Sequence, residues 1–125
     1  MLNSLESALL CAEAADNKKA FEILVLDLRK LTTICDFFVI CSGGSTTQVD
    51  AITDEIGREL AKAGVHSSHV EGATDANWVL MDYGDVVVHI FEEQTRTYYN
   101  LEKLWGDAPR IPLAAHCTKT AGVSA

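Results

Sequence analysis

Apolar side chains recur along this chain with two distinct periods, and the alternation between them divides it into elements. Leu2, Leu5, Ala8, Leu9 and Ala12 are spaced by three and four residues, which predicts a helix from Leu2 to about Asp16. Phe21 to Leu28 is a short β-rich run and reads as a strand. Asp36 to Ser42 (DFFVICS) reads as a second strand, and the short polar link before it predicts a hairpin. Gly43 and Gly44 end that strand, and Ser45 with Gln48 forms an S-x-x-Q capping box at the start of a helix. Val49, Ile52, Ile56 and Leu60 carry the helix to Gly64, a residue suited to a left-handed stop.

Val65 to Val70 predicts a further short strand, and a Gly-containing turn follows through Glu71 to Ala76. Asn77 to Tyr83 and Asp85 to Glu92 are two β-rich runs pivoting on Gly84, so they predict a second hairpin. Thr95 to about Trp105 predicts a last helix with Tyr98, Leu101, Leu104 and Trp105 on one side. From Gly106 onward Pro109, Pro112 and small residues show no sustained period. The expected organisation is one domain over residues 1–107 and a flexible tail over 108–125. The element order α-β-β-α-β-β-β-α predicts an α/β (α+β) fold with a mixed sheet of about five strands and flanking helices.

The strand segments WVLM and VVVHIF are apolar at nearly every position, so both faces of the sheet require cover. Either the three helices cover both faces, or one face stays partly open for a second subunit or a partner. A tight turn at Gly84 and a bulge there differ by one residue of register, so the sequence leaves open which face carries Trp78.

Composition narrows the class. The chain has 125 residues, 48% hydrophobic and 22% charged, as expected of a globular domain with its own core. Ten basic against 18 acidic residues give a net charge of -8, which disfavours direct nucleic-acid readout and favours a basic protein as partner. No stretch approaches the roughly 20 apolar residues that span a bilayer, and no basic region followed by an apolar run opens the sequence; a cytoplasmic protein without membrane contact is expected. Cys11, Cys35, Cys41 and Cys117 lack C-x-x-C spacing and are expected to be reduced thiols. His66 and His69 would point to opposite faces of a strand, so no metal site is expected from them.

Charge is unevenly placed. Residues 63–95 contain no Lys or Arg, yet hold Glu71, Asp75, Asp82, Asp85, Glu92 and Glu93. The same window contains Trp78, Met81, Tyr83, His89 and Phe91, so carboxylates and aromatic groups share one hairpin, as at protein interfaces. The candidate partner-binding residues are therefore Trp78, Met81, Asp82, Tyr83, Gly84, Asp85 and His89. No catalytic signature emerges. The Gly43-Gly44-Ser45 turn is similar to the Gly-Ser turn of nucleotidyltransferases, but the paired carboxylates that should follow on the next strand are missing.

Taken together, Asp36-Phe37-Phe38-Val39-Ile40-Cys41-Ser42-Gly43, Glu71-Gly72 followed by Trp78, Asp82-Tyr83-Gly84-Asp85-Val86-Val87-Val88-His89, and Arg96, Tyr99, Leu101-Glu102 and Leu104-Trp105 resemble the ribosomal silencing factor, or Iojap, family. The resemblance covers about Leu5 to Asp107 and leaves the tail from Ala108 outside. It implies a degenerate nucleotidyltransferase-like fold without transferase activity or cofactor. It further implies docking on the large ribosomal subunit through its protein numbered fourteen, steric blocking of subunit joining, and repression of translation during nutrient limitation or stationary phase. A role in large-subunit assembly is the alternative, with an enzyme descended from nucleotidyltransferases as a third reading. A partly open sheet face would also permit a homodimer in isolation.

Overall fold

The computed structural model describes residues 2–100, 103 and 105–113. Its elements are α1 (Ser4–Asn17), β1 (Phe21–Asp27), β2 (Phe37–Gly43), α2 (Thr46–Lys62), β3 (His69–Glu71), β4 (Trp78–Asp82), β5 (Val86–Glu92) and α3 (Glu93–Tyr99). The five strands form one sheet in the order β1-β2-β5-β4-β3. Only β2 and β5 pair in parallel; β1 with β2, β4 with β5 and β3 with β4 are antiparallel, so the sheet is mixed as expected.

Helices α1 and α2 cover one face. The buried side of α1 is built from small residues, Ala8, Cys11, Ala12 and Ala15, which let the helix approach the sheet closely. From α2 come Val49, Ile52, Ile56 and Leu60, and beneath both lie Val25, Phe37, Val39, Cys41, Val79, Met81, Val88 and Ile90. β5 is buried at every position except its last because it is central and enclosed on both sides.

Among the described residues, the second face has no equivalent helical layer. Leu26, Ile40, Val87 and Phe91 are covered there by Leu28 and Cys35 of the β1–β2 connection and by Trp105 and Ala108 beyond α3. Leu24, Phe38, Trp78, Leu80 and Trp105 remain only half-buried. Among the described residues, the alternative left open by the sequence thus resolves toward a partly covered face.

Several boundaries differ from the sequence reading for identifiable reasons. The strand expected over Val65–Val70 is reduced to His69–Glu71, because Val65 completes the end of α2. Its amide donates to the Leu60 carbonyl at 2.9 Å, the Gly64 amide donates to Ala61 at 3.0 Å, and Gly64 adopts φ +82°, a Schellman motif. The last helix begins earlier, at Glu93, with the Glu92 carboxylate accepting from the Thr95 amide at 3.3 Å. It stops at Asn100, whose φ of 49° is left-handed. Of the apolar side expected for it, Leu101 and Leu104 lie outside the described residues.

The capping box at Ser45 is also modified. The Gln48 amide donates to Ser45 Oγ at 3.1 Å, but Gln48 Oε1 accepts from Gly44, not from Ser45, at 2.6 Å. The segment expected to be loose from 108 onward is placed at its start. The Asp27 amide donates to the Pro109 carbonyl and the Ile111 amide to the Val25 carbonyl, both at 2.8 Å, so this stretch lies along the outer edge of β1. Residues 114–125, with Cys117 and most of the expected tail, lie outside the described residues.

Candidate partner-binding face

Register decides what the β4–β5 hairpin displays. Trp78 pairs with Phe91, Leu80 with His89 and Asp82 with Val87. The Tyr83 amide donates to the Val86 carbonyl at 2.9 Å, and Gly84 takes φ +86°, so the strands are joined by a tight turn. Because side chains alternate, Trp78, Leu80 and Asp82 share the face with Val87, His89 and Phe91, away from α1 and α2. Met81 points the other way into the helix-covered core and is 3% exposed, which removes it from the expected partner-binding set.

Tyr83 is likewise packed against the helix-side core, and burial pushes its hydroxyl pKa up, holding it neutral. Gly84 and Asp85 are exposed at the turn, and Asp82 is half-buried with Oδ1 accepting from the Gly84 amide at 2.8 Å. His89 is on the right face but beneath its surface, at 4% exposure, so it supports the face instead of contacting a partner directly.

The support is specific. Trp78 Nε1 donates to His89 Nδ1 at 3.1 Å, and since the indole can only donate, the neutral imidazole carries its proton on Nε2. Among the described residues His89 Nε2 has no hydrogen-bond partner. Desolvation lowers the His89 pKa to about 4, so the ring is neutral at ordinary pH. Phe38 meets it edge-on with centroids 4.6 Å apart, while Trp78 stacks on Phe91 at 4.9 Å and Trp105 meets Phe38 at 5.7 Å. Phe38, Leu80, Phe91 and Trp105 thus belong to a platform that the sequence reading did not assign as binding residues. Their signal was the strand pairing, which becomes legible once the Gly84 turn fixes the register.

A cleft of about 600 Å³ opens beside Trp78, lined by Gly72, Asp75, Asn77, Trp78, Glu92, Gln94 and Thr95. Gly72 is required here: its φ is +84°, and a Cβ would fall 2.0 Å from the Trp78 carbonyl oxygen. Glu71 and His69 also lie on this side of the sheet, by their pairing with Leu80 and Asp82, and are joined to each other at 2.5 Å. The arrangement is an aromatic and aliphatic platform with carboxylates at its margin, suited to recognition of a basic surface.

Other candidate chemistry is not assembled. Gly44 has its amide engaged by Gln48 at 2.6 Å, and Asp54 is exposed while Glu55 is paired with Arg58, so among the described residues no phosphate- and metal-binding pair converges beside the Gly43-Gly44-Ser45 turn. Cys11, Cys35 and Cys41 are buried free thiols, with burial raising Cys35 to about 11 and Cys41 to about 12. Among the described residues no group of three or more His, Cys, Asp and Glu could hold a metal ion, and no helix is long and apolar enough to cross a membrane.

Comparison with known proteins supplies the context for this face. The family model described as "Ribosomal silencing factor during starvation" matches residues 2–124. The chain is 45% identical over 112 residues to the ribosomal silencing factor RsfS of Halalkalibacterium halodurans, covering 90% of this chain and 96% of that one. A crystal structure of a Chromobacterium violaceum protein superposes with a TM-score of 0.82 at 36% identity, covering 91% of this chain and 93% of that one. A mouse protein named "Mitochondrial assembly of ribosomal large subunit protein 1" is 31% identical over 91 residues, 70% of this chain and 40% of its own length.

Proposed function

The chain belongs to the ribosomal silencing factor family, and from that premise we propose that it binds the large ribosomal subunit and sterically prevents the small subunit from joining. The ribosomal contact in this reading is the large-subunit protein numbered fourteen, a basic partner on the subunit-joining surface. The observation that carries the reading is the half-covered aromatic face of β2, β5 and β4, with Trp78 at one end of the β4–β5 hairpin and Asp82, Gly84 and Asp85 at its turn. Buried aromatic contacts supply binding energy, while marginal carboxylates accelerate and orient docking.

Blocking of this kind requires occupancy only. The protein acts without catalysis or cofactor, reads no nucleic-acid sequence and works in the cytoplasm, lowering translation in nutrient limitation or stationary phase. Free of the ribosome, the same half-covered face supports a homodimer. Co-sedimentation of the purified protein with isolated large and small subunits tests the reading: it predicts retention by the large subunit alone, weakened by salt. Equal retention by both subunits, or none, contradicts it.

A second reading, assistance in large-subunit assembly, is favoured by the name of the mouse relative. It uses the same docking face. Deletion of the protein would then cause immature large subunits to accumulate.

A further inference from the structure

The end of the sheet where the β1–β2 connection meets the β4–β5 turn carries an anomaly that the platform itself does not explain. Ile34 is 82% exposed and Leu31 45% exposed, although the adjoining Leu28 and Cys35 are buried at 0% and 5%. Those two buried residues pin the connection at both ends. Between them, the Leu31 and Thr32 amides donate to the Leu28 carbonyl at 2.9 and 3.0 Å, and the Ile34 amide donates to Thr32 Oγ1 at 3.2 Å. The two aliphatic side chains are therefore presented on a held loop.

The loop is continuous with the candidate face. The Asp36 and Phe37 amides donate to the Asp85 carbonyl at 2.7 and 3.1 Å, joining the connection to the turn, and Leu28 and Cys35 themselves belong to the aromatic platform's core. Burial, and after it the charges of Asp36, Asp82 and Asp85, raise the pKa of the Cys35 thiol at this end. Of the cations at this end, Arg29 is bound by Asp27 at 2.7 and 2.9 Å and lies over the Phe37 ring at 5.0 Å. Lys30 and Arg110, the latter placed across from Leu26, are the other described cations here, against Asp36, Asp82 and Asp85.

We propose that Leu31 and Ile34 form a second anchor that inserts into an apolar depression rimmed by Lys and Arg on the same basic large-subunit protein. The inference rests on the proposed function and adds to it the chemistry of a second contact. An apolar tip with an acidic margin is repelled by anionic lipid and attracted by cationic side chains, so a basic protein surface is the occupant that its charge selects.

The test compares the full-length wild type with Leu31→Ser/Ile34→Ser and with the conservative Ile34→Val, each first melted to verify the fold. Binding to purified large subunits should weaken about ten- to a hundredfold in the double variant, as expected for two aliphatic side chains left without a cavity. Ile34→Val should bind nearly as wild type. Undiminished binding by the double variant, with wild type binding, overturns the second anchor while leaving the proposed function standing. If wild type itself does not bind, the functional reading and the anchor fall together. The same proteins are centrifuged alone and floated with anionic phospholipid vesicles. Loss of self-association or of vesicle binding in the double variant, with subunit binding intact, assigns the tip to another occupant and also overturns the proposal.

Discussion

Replacing Trp78 with Phe, in a cycle with His89→Phe, isolates the contribution of one buried hydrogen bond to the platform. The phenyl ring can keep the stack on Phe91, whose centroid lies 4.9 Å from that of Trp78, but it removes the donor 3.1 Å from His89 Nδ1. His89 Nε2 already lacks a partner, so the variant leaves both imidazole nitrogens unpaired at a residue 4% exposed. An unsatisfied buried acceptor costs about 1–2 kcal/mol, which lowers the melting temperature by roughly 5 °C for a domain of this size. His89→Phe should cost less, because it removes the orphaned Nε2 together with the Nδ1 acceptor, and the Trp78 side chain that donated to it is only half-buried. In the double variant the two losses should therefore fall short of their sum by about 1 kcal/mol. Thermal and urea unfolding of the four proteins supplies the cycle. A Trp78→Phe protein as stable as wild type, or strictly additive losses, would refute the assignment of Nδ1 as a satisfied acceptor.

The same histidine sets a pH dependence. Its folded pKa of about 4 lies below the ordinary 6.5, so stability is complete above about pH 6.5 and declines as pH falls toward 4, by roughly 3 kcal/mol in all; His89→Phe should flatten that part of the unfolding profile. Asp85→Lys, at an exposed turn position, should slow association with large subunits about tenfold at low salt while leaving melting unchanged; an unaltered rate in stopped-flow measurements would remove electrostatic steering from the account. A chain ending at Asp107 should be about 2 kcal/mol less stable than one ending at Leu113, since it loses the Asp27–Pro109 and Val25–Ile111 hydrogen bonds and the buried Ala108; identical melting would show that this edge segment contributes nothing.

The elements with strong local chemistry were legible in the sequence. Val49, Ile52, Ile56 and Leu60 followed by Gly64 specify α2 because spacing, cap and stop agree, and the apolar runs of β2 and β5 announce strands enclosed on both faces. What stayed hidden depends on contacts between distant segments. Val65 is β-branched and reads as a strand residue, yet its amide is used by the end of α2. The Asn3–Glu6 capping box of α1 was missed because the apolar period already extended through Leu2. At the site, Trp78 was singled out by its neighbours in sequence, but the face it occupies follows from the Gly84 turn, and that same turn sends Met81 into the core. His89 was expected at the surface. Its burial arises from Phe38, Phe91 and Trp78 closing over it: Phe91 is on its own strand and Trp78 comes from the β4–β5 hairpin, but Phe38 arrives through a parallel pairing that local pattern does not encode.

The claim that this face prevents subunit joining is tested most directly with purified ribosomal subunits held at a magnesium concentration where they associate, with the protein added in rising amounts before sedimentation. The account predicts that the joined particle is depleted as the large subunit becomes occupied, in proportion to bound protein and without added nucleotide, and that Trp78→Ala blunts the effect. Undiminished joining with every large subunit occupied by the protein would contradict it.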